Sequence, residues 1–77
     1  MTRPLTPAEI IDKARNRVAS AKSAATLDVC LDNAHGAIYT LLDLRLITMS
    51  TWRKAIASVD RQAEQVAKAL ETVGGAQ

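Results

Sequence analysis

Phenylalanine is absent from this 77-residue chain, cysteine occurs once, and there are one Trp, one Tyr, three Gly and two Pro. Each shortage removes a class of protein. A single Cys30 rules out a disulfide within the chain, one of the usual ways that so short a domain is stabilised. No cluster of Cys, His, Asp and Glu at metal-ligand spacing is present either, so neither a metal nor a cofactor is expected. Both prolines precede residue 8, and the turn-rich pattern of a small β-sandwich is missing. No apolar run approaches the roughly 18–20 residues of a membrane span. The opening string MTRPLTPAEI has no apolar stretch like that of a signal peptide. With the free thiol, this sets the expectation of a cytoplasmic protein that does not engage membrane.

Alanine and leucine fill the space left by those absences. This is the composition of an all-α chain, and its length allows one domain. The overall charge is +2, but it is uneven. Residues 1–25 carry +3, residues 26–48 carry −2 and residues 49–77 carry +1. A basic first helix beside an acidic second one accounts for this split; a basic surface for nucleic acid is the alternative.

Three helices can be placed. Thr6, Pro7 and Glu9 form a cap, a favoured first helical residue and a capping box, with Leu5 and Ile10 as a hydrophobic staple. Ile11, Ala14, Val18, Ala21 and Ala25 then recur on one face, predicting a helix over 7–23. Ser23 or Thr26 can cap a second helix, over about 26–44. Its wide stripe of Leu27, Cys30, Leu31, Ala34, Ala37, Ile38, Leu41, Leu42 and Leu44 can face two neighbours. Gly36 lies in its middle, through either a close helix approach or plain tolerance. Thr48 caps the third helix, predicted over 49–73, with Ile47 and Trp52 as its staple. Trp52, Ile56, Val59, Ala63, Val66, Leu70 and Val73 follow in alternating steps of four and three, a heptad seam. The remaining residues, 74–77, read as a tail.

The short connection makes the second and third helices an antiparallel hairpin in a small three-helix protein. The string LLDLRLITMSTW within residues 41–56 resembles the hairpin of SHOCT-type short helical domains. That pattern runs from a Leu-rich helix through Gly-Leu-Ile-Thr to an acidic turn and an aromatic. Here Arg45 replaces the Gly, and Met49-Ser50-Thr51 replaces the acidic turn. The resemblance implies a tight hairpin and carries no activity. A DNA-reading helix-turn-helix fits the same stretch less well. Aligning Arg45 with its turn puts Leu41 where a small residue is wanted and Thr51 where a branched apolar one is wanted.

Catalytic chemistry has little to stand on. Cys30 and His35 are five apart, roughly 140° around a helix, and cannot address one substrate atom. Cys30 falls on the apolar stripe, where a thiol is inert. His35 can reach Asp32 or Tyr39 on its own helix. Asp60, Glu64 and Glu71 fall on the outer face of the third helix, with Glu64 and Lys68 spaced as an i,i+4 pair. A non-enzymatic protein–protein interaction module is therefore expected: an accessory, adaptor or inhibitor. Its economy resembles the small bacterial and phage- or plasmid-borne modulators that include inhibitors of host defence. A homodimer is expected, because the heptad seam outruns the second helix; Val66, Leu70 and Val73 are its candidate contacts. The alternative is a nucleic-acid-binding transcriptional regulator that uses Arg15, Lys22, Arg53 and Lys54. Those four are also the candidate contacts for a protein partner.

Overall fold

In a computed structural model, which describes residues 4–75 and their side chains through residue 72, the chain is all-α. Its helices are α1 (Pro7–Ala19), α2 (Ala24–Asp43) and α3 (Met49–Gly75). Each packs against the other two, and α2 and α3 form the antiparallel hairpin.

Local chemistry sets the helix starts. At α1, the Glu9 N–H donates to Thr6 Oγ1 over 3.2 Å and the Thr6 N–H donates to Glu9 Oε1 over 3.0 Å, closing the capping box. At α3, the Thr51 N–H donates to Thr48 Oγ1 over 3.1 Å. Ile47 and Trp52 both pack on the core beside that cap, as a staple should.

The first boundary differs from expectation. Helix α1 ends at Ala19 and not at residue 23, and α2 starts at Ala24 and not at 26. The Ser23 hydroxyl accepts from the Thr26 N–H over 3.1 Å, and Ser23 has extended backbone, φ −149° and ψ 160°. Helix α1 has already stopped at Ala19, with Ser20 as its C-cap, and the Ser23 cap opens α2. Ala25, expected on the α1 stripe, lies exposed in the first turn of α2. At the other end α3 runs through Gly75 and not to residue 73.

Helix α2 ends in a full Schellman motif. The Leu46 N–H donates to the Leu41 carbonyl and the Arg45 N–H to the Leu42 carbonyl, each over 2.9 Å. The motif needs a left-handed residue, and Arg45 supplies it at φ 61°. An L-residue there costs about 1–2 kcal/mol because its Cβ crowds the carbonyl. Arg45→Gly is therefore expected to stabilise the fold by about 1 kcal/mol, read as a higher urea midpoint at unchanged slope. Gly36 offers a second test. It is exposed in mid-helix, and a Cβ built on it meets nothing within 4 Å; no close helix approach explains it. Gly36→Ala is expected to add about 0.5–1 kcal/mol, and an unchanged or lower midpoint would contradict this account of the site.

The core is narrow and alanine-rich. Ala14, Val18 and Ala21 come from the first helix and its exit; Leu27, Ala34, Ile38 and Leu41 from α2; Ala55, Val59 and Ala63 from α3. Among the described residues only Ile38, Val18 and Val59 are large and fully enclosed. Small side chains let the helix axes approach, but they bury little apolar surface per residue. The heptad seam is thus only part of the buried face of α3. Ala55 is buried, and Ser58 and Gln62 are half-buried. The Arg15 guanidinium donates to Ser58 Oγ over 3.2 Å, so this added flank faces α1. A helix with two neighbours needs a wider face than a two-stranded seam provides.

Leu44 is the clearest departure from the predicted core. It is the C-cap of α2 and is 64% exposed. The apolar spacing of α2 runs one residue past the point where the backbone stops being helical.

Candidate interaction surface

Helix termination at Leu44 leaves apolar residues outside the core. Tyr39, Leu44, Leu46 and Met49, all between residues 39 and 49, are 51–64% exposed. They occupy the last turns of α2, the connection and the first residue of α3. Trp52 is half-buried and meets Tyr39 edge to face, with ring centroids 6.1 Å apart at 88°. Such T-shaped pairs contribute about 0.5–1.5 kcal/mol beyond burial, so Tyr39 is held in place at the patch edge while most of its ring stays accessible. Asp43, Arg45, Arg53 and Lys54 are exposed around this corner. None of the four makes an ion pair.

The other candidate residues do not assemble into one surface. Arg15 bonds to Ser58 and lies 3.8 Å from Asp12. Lys22 lines a recess with Ser23, Leu27, Leu70 and Glu71, at the end of α3 away from the corner. The seventeen positions from Arg53 to Leu70 span about 26 Å of helix. Arg53 and Lys54 therefore point outward at one end of the molecule and Lys22 at the other. Val66 and Leu70 are half-buried and pack against the protein's own core; the side chain of Val73 lies outside the described residues.

Two polar contacts differ from those expected. His35 does not engage Asp32 or Tyr39. Its Nε2 lies 2.7 Å from Asp60 Oδ1, joining α2 to α3. Both side chains are about half exposed, so the contact contributes less than about 1 kcal/mol. Asp60 is thus turned toward α2 and does not simply belong to the solvent face. Among the described residues Glu64 and Lys68 do not close their i,i+4 pair.

Cys30 is free and half-buried. It lines a groove of about 190 Å³ between α1 and α2, with Ala14, Ala34 and Ala37 near it and Lys13 and Arg17 among the lining residues. That volume is below the roughly 300 Å³ at which small-molecule sites begin. Among the described residues no three His, Cys, Asp or Glu side chains come together as a metal site. No helix of the described chain is long and apolar enough to cross a membrane.

The exposed corner was not singled out from sequence, although a signal was present. Leu42, Leu44 and Leu46 alternate with polar residues. A period of two beyond a helix end cannot keep all three on one helical face. Comparison with family models, characterised proteins and solved structures gives no match for this chain.

Proposed function

We propose that this chain is a small non-enzymatic protein–protein interaction module of the cytoplasm, an accessory, adaptor or inhibitor, whose contact surface is the α2–α3 corner. The observation that carries the reading is the exposure of Tyr39, Leu44, Leu46 and Met49 in one short stretch. Four such side chains together leave on the order of 500 Å² exposed, within the roughly 300–600 Å² of the largest apolar patch on a typical monomer, which is often functional. Tyr39, Met49, Arg45 and Arg53 are of the aromatic, methionine and arginine types enriched in protein interfaces. The resemblance of residues 41–56 to SHOCT-type hairpins belongs to the same proposal. Arg45, at the place of that pattern's Gly, has the left-handed backbone that a Gly adopts freely.

Nothing comparable supports a nucleic-acid regulator. Such a protein needs cations on one face, commonly with accessible aromatics to stack on single strands. Here Lys22 is at the far end from Arg53 and Lys54, Arg15 is bonded to Ser58, and Trp52 is packed into the fold. Duplex or single-stranded nucleic acid is expected to bind no tighter than about 10⁻⁴ to 10⁻⁶ M near physiological salt.

The test has two arms. A mobility-shift titration at two salt concentrations compares the parent with an Arg15/Lys22/Arg53/Lys54→Ala variant. A pull-down compares the parent with Leu44→Ser/Leu46→Ser. The proposal expects a protein partner retained in high salt and lost in the corner variant. Nanomolar, sequence-selective nucleic-acid binding that disappears in the quadruple variant would replace it with the regulator reading.

A further inference from the structure

We propose that the groove between α1 and α2 docks an acidic amphipathic helix of another protein, with one apolar side chain seated in the groove and two carboxylates on Lys13 and Arg17. This surface is separate from the α2–α3 corner. Corner residues enter its test only as a control, so either reading can fail alone.

Alanine makes the groove. Ala14 of α1 and Ala34 and Ala37 of α2 present single methyl groups between the two helices, and with Cys30 they line a hollow of about 190 Å³. Ala14 and Ala34 are buried, whereas Ile10, Cys30 and Ala37 are half-buried. The hollow therefore has an apolar lining that neither helix covers. Leu5, just before the α1 cap, also lines it and stays 46% exposed. A volume this small does not enclose a free small molecule. It needs to hold only one side chain when the rest of the occupant lies outside, and that is how an amphipathic helix uses a groove.

Charge selects the occupant. Lys13 and Arg17 are the charged residues of the lining. Both are exposed, and neither makes an ion pair. The neighbouring carboxylates of α1 are engaged elsewhere: Glu9 accepts from the Thr6 N–H at the cap, and Asp12 lies 3.8 Å from Arg15. Asp28 and Asp32 of α2 do not line the groove. An apolar floor beside cations of one sign is complementary to an anionic partner and repels a basic one or its own copy. Lys13 and Arg17 stand on one side of α1, four residues or about 6 Å apart along its axis. Carboxylates at i and i+4 of a partner helix have the same spacing, so a helix laid along α1 meets both cations at once.

The experiment is fluorescence anisotropy with two labelled peptides of roughly 20 residues, long enough to be helical alone. One carries leucines on one face and Glu pairs at i,i+4 beside them; its twin has Lys in place of each Glu. Four chains are titrated: the parent, Lys13→Glu/Arg17→Glu, Ala37→Phe and the control Arg53→Glu/Lys54→Glu. The four reversed side chains are exposed, and circular dichroism with thermal melts verifies folding of all variants. The parent is expected to bind the acidic peptide with a dissociation constant on the order of 10 μM, the weak end of the span for protein contacts, and to leave its twin unbound. Lys13→Glu/Arg17→Glu should lose about 10- to 30-fold for the acidic peptide and gain binding of the twin. Ala37→Phe should lose about 10-fold by filling the hollow. The control, with the same change in net charge, should match the parent. Failure of the acidic peptide to bind the parent overturns the proposal, as does equal binding of both peptides. Binding that survives at the groove variants but falls in the control also overturns it. Decanoate that displaces the acidic peptide at equal concentration reassigns the groove to a free anionic amphiphile.

Discussion

Ile38→Ala is expected to lower the unfolding free energy by about 3–4 kcal/mol. Ile38 is fully enclosed and is the largest such side chain among the described residues. The buried cluster it belongs to holds Ala14, Ala21, Ala34, Ala55 and Ala63 beside Val18, Leu27 and Val59. Alanine has no rotamer with which to fill a void, so the cavity should collapse little, and that keeps the cost in the upper part of the usual range. A domain of this length has a total stability on the order of 5–8 kcal/mol. The substitution should therefore halve the urea midpoint when parent and variant are compared at one protein concentration. Fixed concentration matters because self-association adds to apparent stability. A loss below about 1 kcal/mol would mean that the three helices do not meet around Ile38.

Trp52→Ala is expected to cost about 3 kcal/mol, the lower end of the range for removing a large aromatic. Two features hold it there. Trp52 is only half-buried, and its indole nitrogen is enclosed without a hydrogen-bond partner. Deleting an unsatisfied donor offsets part of the lost packing. Trp52→Phe isolates that offset. It keeps a ring against Tyr39 while removing the N–H, and should cost about 1 kcal/mol or less. Chemical denaturation measures both variants. In the parent, Trp emission should lie to the blue of indole in water; a maximum equal to that of free indole would contradict the packing against Tyr39 and Ile47.

Sequence and structure agree where the determining interaction is local. Thr6 with Glu9 and Thr48 with Thr51 bond within a single turn, so the starts of α1 and α3 can be read from a few adjacent residues. The α1–α2 boundary is harder because Ser23 and Thr26 are both capable caps in an alanine-rich string. Propensity does not choose between them, whereas the folded chain gives the cap to Ser23 and leaves Thr26 as its donor. His35 with Asp60 and Arg15 with Ser58 join residues of different helices. Their partners depend on helix rotation and offset, which no one-dimensional pattern contains.

Ala55 shows a further limit. A seam traced through large apolar residues passes over a buried alanine, although alanine is what lets α3 approach its neighbours. The interaction surface was hidden by the opposite error. Leu44 continues the apolar spacing of α2, but the left-handed Arg45 ends the helix beside it. Leu46, which follows, then emerges at the surface. The end of α2 is legible to within one residue, since Arg45 stands where the resembling pattern has its Gly; the exposure of Leu44 beside it is not.

The α2–α3 corner is the contact surface proposed for this module. Amide chemical shifts test it most directly, because they report both the event and its place. Two-dimensional ¹H–¹⁵N spectra of uniformly labelled protein, titrated with the partner retained in high salt, should show progressive shifts at residues 39–54. Residues 62–72 should remain unmoved. Shifts confined to the second set, or no shift anywhere across the series, would contradict the corner as the contact surface.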